Sequence, residues 1–209
     1  MRVLEVPGMS RTATSGLLLS VFAFASFAPD TAYAHLQGGP LGGFQSGFRH
    51  PIVGIDHLLA MLAVGIWGAQ MGGRNVWTLP VTFPLIMAVG GILGMSGFDL
   101  PYVELGIACS VFVLGLVIAF AWKAPDWAAL LLIAVFAIFH GYAHGVELPQ
   151  AVDPASYANG FVVATGLIHI IGIGIGLLLE RPWKGQLSRA LGAAIAVTGL
   201  FFISVPQLL

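Results

Sequence analysis

The chain has 209 residues, 58% of them hydrophobic and only 8% charged, with a formal net charge of -1. Soluble domains carry about 25% charged residues, so this composition excludes an ordinary water-soluble globule and points to a membrane protein folded as one bundle. The near-neutral charge argues against nucleic-acid binding, and a single cysteine, Cys109, excludes an intrachain disulfide, a Cys-based zinc site and an iron–sulfur cluster.

Residues 1–34 read as a cleavable signal peptide. Arg2 and Arg11 lie in a short polar lead, and "GLLLSVFAFASFA" (16–28) is too short to span a bilayer, which takes roughly 20 residues. Ala32 and Ala34 form an A-x-A cleavage site. Cleavage after Ala34 would leave His35 first, its α-amine beside its imidazole. Two nitrogens on one residue can chelate a metal, although the simpler reading is that His35 merely follows the cut. Residues 35–50, including "HLQGGPLGGFQSGF", are Gly-rich without helical period and read as an extracytoplasmic lead.

The remainder, 51–209, is expected to be an all-α membrane domain, a six-transmembrane-helix bundle. Its apolar segments run over 51–71, 76–96, 101–122, 127–147, 157–179 and 187–206. With the mature N-terminus outside, the loops after segments one, three and five are cytoplasmic. They hold Arg74, Lys123, Arg181, Lys184 and Arg189, against Arg49 alone outside. The positive-inside rule therefore agrees with cleavage and puts both mature termini in the periplasm of a bacterial inner membrane. Glycine pairs four apart (Gly68 and Gly72, Gly90 and Gly94, Gly141 and Gly145, Gly172 and Gly176) suit close helix packing in lipid.

Ionisable residues inside such helices are expensive and usually face a cavity or the bundle interior. Here they cluster. Segment one opens "HPIVGIDHLLAM", with His50, Asp56, His57 and Met61; segment four ends "FHGYAHGVE", with His140, His144 and Glu147. Segment one enters from outside and segment four leaves to the outside, so the two clusters share one depth. At about 100° per residue, His140, His144 and Glu147 share one stripe, as do His50, Gly54, His57 and Met61. Asp56 points about 100° away from His57, which suits a partner that orients a histidine. Imidazole and carboxylate ligate zinc, nickel, cobalt and iron. One straight helix sets a limit, since His140 and Glu147 lie about 10 Å apart along it. A bend near Gly141 and Gly145, or successive binding, would be needed. His169, in "ATGLIHIIG", and Met61 are secondary candidates; their simpler readings are an interhelical hydrogen bond and packing. Asp99, Asp126, Asp153 and Glu180 fall in loops and read as solvated.

"HPIVGIDH" (50–57) and "FHGYAHGVE" (139–147) resemble the paired motifs H-x5-D-H and F-H-G-x-[AV]-H-G-x-E of the HupE/UreJ family, and "ATGLIHIIG" is similar to its segment-five signature. The resemblance covers essentially the mature chain. It implies a secondary permease, not an enzyme, taking up nickel or cobalt for the maturation of enzymes such as hydrogenase or urease. By position it makes His50, Asp56, His57, His140, His144 and Glu147 the metal pathway. No prosthetic cofactor is expected; the partners are membrane lipid and the transported divalent ion, and a homo-oligomer is compatible with the chain. Read without the resemblance, the residues reach a divalent-metal site but not nickel. Two other classes fit them: a membrane-embedded metal hydrolase, with Glu147 or Asp56 as acid/base, and a b-type haem protein with histidine axial ligands.

Overall fold

The computed structural model describes residues 43–148, 153–180 and 185–205. The segment read as a signal peptide, and His35, lie outside the described residues. Among these residues there are seven α-helices and no strand: α1 (Gly43–Val53), α2 (Ile55–Met71), α3 (Asn75–Met95), α4 (Val103–Ala119), α5 (Asp126–Val146), α6 (Pro154–Glu180) and α7 (Gln186–Ser204). Helices α3, α5, α6 and α7 are each long and apolar enough to cross a membrane. Helix α4 is a shorter apolar helix of 17 residues. The chain is thus a multi-pass helical membrane protein.

The start of the bundle departs from the sequence reading. The chain is already helical at Gly43, within the stretch read as a non-helical lead, and segment one is not straight. Helices α1 and α2 meet at Gly54 with a 78° bend. Gly54 is extended, with φ -71° and ψ 107°. Just before it, Pro51 has no N–H to give the helix. Two hydrogen bonds still bracket the corner: Gly54 N–H donates to the His50 carbonyl at 3.1 Å and Leu58 N–H to the Gly54 carbonyl at 2.8 Å.

Helix α1 does carry a helical period, with Phe44, Phe48 and Ile52 at every fourth position, but its closest contact is made by glycine. At Gly47 an added Cβ would overlap the Tyr157 backbone, and at Gly160 it would overlap Phe44. Helices α1 and α6 therefore meet backbone to backbone, a contact made by absent side chains.

Elsewhere the helices run in pairs: α3 along α5, α4 along α7, and α2 along α6. The α3–α5 seam follows the glycine spacing. Gly141 fits against the Met87 carbonyl, Gly145 against Gly91, and Gly90 and Gly94 against the carbonyls of Ile138 and Tyr142. Gly72 is an exception to the packing reading: it ends α2 at φ 75° with nothing within 4 Å of where a Cβ would stand, so it is a turn glycine. Trp67, Phe83, Leu79, Leu114 and Ile133 fill the interior, while Leu85, Ile92, Leu131, Ile170 and Leu178 face outward. Outward apolar residues on every side are what a lipid-facing bundle requires.

Candidate metal site

The bend at Gly54 builds the site. It turns the end of α1, carrying His50, and the start of α2, carrying Asp56 and His57, toward the last turn of α5, carrying His144. His50, His57 and His144 each offer a ring nitrogen, and these lie within 4.8 Å of one another. The ring centroids are 4.6 Å apart for His50–His144, 4.7 Å for His57–His144 and 5.6 Å for His50–His57. At metal–nitrogen distances of about 2.0–2.1 Å, neighbouring nitrogens of a tetrahedral site stand about 3.4 Å apart. The cluster needs to contract by at most about 1.5 Å to chelate one ion tetrahedrally with three imidazoles.

Hydrogen bonds fix which nitrogen is offered. His57 Nδ1 lies 2.9 Å from Asp56 Oδ1. A proton held there leaves the Nε2 lone pair for a ligand, and that atom is buried without a hydrogen-bond partner among the described residues. The 100° offset between Asp56 and His57 expected on a straight helix does not prevent the contact, because both stand in the first turn after the corner.

His140 repeats the pattern. Its Nδ1 donates to the Phe136 carbonyl at 2.9 Å, leaving a buried Nε2 with no partner. Its ring centroid is 5.0 Å from that of His57. It stands one turn beyond His144, about 6 Å further along α5. Each buried polar atom left unbonded costs about 1–3 kcal/mol. A cation that accepts these lone pairs recovers that cost.

The other sequence candidates take different places. Glu147 caps α5, with Oε2 4.0 Å from His50 Nε2, so it stands beside the three-imidazole cluster rather than in it. The structure thus resolves the length problem along α5: three histidines from three helices meet, while His140 and Glu147 lie on either side. Met61, fully buried in the apolar core, is a packing residue. His169 lies on α6 away from the cluster, and the Phe83 ring stands between it and His140, with centroids at 5.6 and 5.4 Å.

Several groups around the site were not singled out from sequence. Phe161 lies against His144 with ring centroids 4.0 Å apart, and Tyr157 is 6.3 Å from His50. The signal was present: Tyr157, Phe161, Thr165 and His169 recur at every fourth position. Gly54 also serves the site, since a Cβ there would stand 3.2 Å from Asp56 Oδ1 and 3.3 Å from His57 Nδ1. Glu104, ambiguous in the sequence, stands in the first turn of α4.

Backbone charge favours a cation. The carbonyl ends of α1 and α5 carry partial negative charge toward the cluster, and the positive N-terminus of α2 is offset by Asp56 in its first turn. Transport proteins place ions at such breaks between half-helices.

A family model described as "HupE / UreJ protein" matches residues 22–202. The chain is 42% identical over 171 residues to "Protein HupE" of Rhizobium leguminosarum bv. viciae, a match covering 82% of this chain and 89% of that protein. A stretch of 132 residues is 27% identical to the "Genome polyprotein" of Tembusu virus, covering 4% of it. No solved structure matches the chain.

Proposed function

The chain belongs to the HupE/UreJ family, and from that premise we propose that it is a secondary transporter taking up divalent nickel, or cobalt, across the bacterial inner membrane. The family consists of transporter and accessory membrane proteins, not enzymes. The observation that carries the reading is the meeting of His50, His57 and His144 within 4.8 Å at a helix break, with Asp56 holding His57.

In this reading the spans number six: α1 with α2 as one bent span, then α3, α4, α5, α6 and α7. The histidine cluster opens to the periplasm, as the distribution of Lys and Arg among the loops favours. An incoming ion exchanges water for imidazole at His50, His144 and His57, with the Glu147 carboxylate near the mouth. His140 then takes it one turn further in. Asp56 orients His57 and partly offsets the ion's charge. Three neutral imidazoles suit a borderline ion such as nickel or cobalt. Intermediate binding strength lets the ion leave as well as enter. Nickel delivered this way would serve the maturation of nickel enzymes such as hydrogenase or urease.

The test is metal uptake by proteoliposomes holding the purified chain, with nickel, cobalt and zinc compared side by side. Nickel or cobalt accumulation that depends on His144 supports the reading. A well-inserted chain that moves none of the three overturns it.

A further inference from the structure

Below the cluster, a second group of buried polar atoms has no role in the pathway so far described. His169 is 1% exposed, and neither of its ring nitrogens makes a hydrogen bond among the described residues. Thr165, one turn earlier on the same face of α6, is fully buried, and its hydroxyl also makes none. That is unusual for a helical threonine, which ordinarily bonds the carbonyl one turn back. Helix α3 supplies a third loose group. It contains Pro80 and Pro84; Pro84 has no N–H, so the Pro80 carbonyl loses its helical donor. That carbonyl faces the His169 ring.

The ordinary role of a histidine in a membrane helix is to bond a neighbouring helix. The Pro80 carbonyl of α3 can take one ring nitrogen in that way; the other nitrogen and the Thr165 hydroxyl stay without a partner among the described residues. His169 is not part of the outer cluster. Phe161 touches His144, and His169 lies eight residues later, about 12 Å further along α6. The Phe83 ring stands between His169 and His140.

We propose that His169 and Thr165, with the Pro80 carbonyl, form a second cation station beyond Phe83, which takes a divalent transition-metal ion through one imidazole nitrogen and oxygen ligands. The station is poorer in nitrogen than the outer cluster and holds the ion less tightly, as the later of two stops must if the ion is to leave. It rests on the transport reading for the direction of travel alone; the binding is tested without it.

The probe is cobalt(II), titrated into the full chain in detergent and followed by its visible absorption. A His57→Ala, His144→Ala double variant disables the outer cluster and is expected to keep one weaker cobalt site. Adding His169→Gln is expected to abolish that site, and adding Thr165→Val instead, which keeps the side-chain shape, to weaken it about tenfold or more. If the double variant binds no cobalt, or if neither added change alters the binding that remains, the station does not exist. In proteoliposomes, either single change in the otherwise unaltered chain is expected to slow nickel uptake about tenfold; parent-like rates for both would remove the station from the pathway. Failure of the transport reading looks different: the parent itself moves no nickel, while the cobalt titration still decides whether the station binds.

Discussion

The two ends of the bundle treat polar groups in opposite ways. At the histidine end, His57 and His140 each spend one nitrogen on a fixed partner and keep the other unbonded. At the opposite end the polar groups are tied across helices. Trp67 Nε1 donates to the Trp122 carbonyl at 3.1 Å, and Gln70 Nε2 to the Ile118 carbonyl at 3.1 Å. Asn75 Nδ2 and Arg74 both donate to Asp126, and Arg189 Nε donates to the Ala119 carbonyl at 2.9 Å. The exception there is Gln70 Oε1, which has no partner among the described residues. A membrane interior offers no water to complete unmade bonds. Unbonded groups gathered at the histidine cluster and below it therefore mark where a ligand goes, and bonded ones at the far end mark where the fold is closed.

If that contrast is right, the largest effects lie at the histidine end. His57→Ala or His144→Ala removes one of three imidazoles and is expected to lower nickel uptake about 100-fold or more, with normal membrane insertion. Uptake assays paired with quantitative immunoblots check this. Asp56→Asn keeps the shape but weakens the partner that fixes His57, so nickel affinity is expected to fall about 10–100-fold; isothermal titration measures it. Unchanged affinity would reduce Asp56 to a packing residue.

Protons should compete with the ion. Histidine binds metal through a neutral ring, so each imidazole that protonates is lost as a ligand. Affinity is expected to fall as external pH drops through the apparent pKa of the cluster and to level off above it. Titrations from about pH 8 to pH 5 would show this, and a flat profile would exclude histidine ligation.

The closed end should respond in stability rather than in metal binding. Asn75→Ala removes a donor to Asp126 and an acceptor for the Thr78 hydroxyl. It is expected to cost about 1–2 kcal/mol of stability, read as a lower unfolding temperature, with nickel affinity unchanged. Arg74→Ala breaks an exposed pair with Asp126 and should cost at most about 1 kcal/mol. If either change weakened nickel binding as much as Asp56→Asn, the division between the two ends would not hold.

Much of this was legible in the sequence, but unevenly. Composition and segment lengths pointed to a helical membrane protein, and chain direction put "HPIVGIDH" and "FHGYAHGVE" at one depth. What stayed hidden was the corner. Periodicity assumes a straight helix, and on a straight helix His50 and His57 share a stripe with Met61. The bend at Gly54 instead turns His50, on α1, to face His57 from a second helix, while Met61, one turn past His57 on the same stripe of α2, lies in the apolar core. Helix α1 was missed because its glycines were read as loop residues, whereas Gly47 and Gly160 make its contact by lacking side chains. Asp126 was read as a solvated loop residue, yet it opens α5 and gathers Arg74 and Asn75, a tertiary contact between residues some fifty positions apart.

The central claim is that one ion binds His50, His57 and His144 together. X-ray absorption spectroscopy of the nickel-loaded chain tests it most directly. The account expects imidazole scattering from about three histidine nitrogens at roughly 2.1 Å, falling by one imidazole in the His144→Ala variant. A nickel shell made only of oxygen or sulfur, or one identical in the parent and His144→Ala, would contradict it.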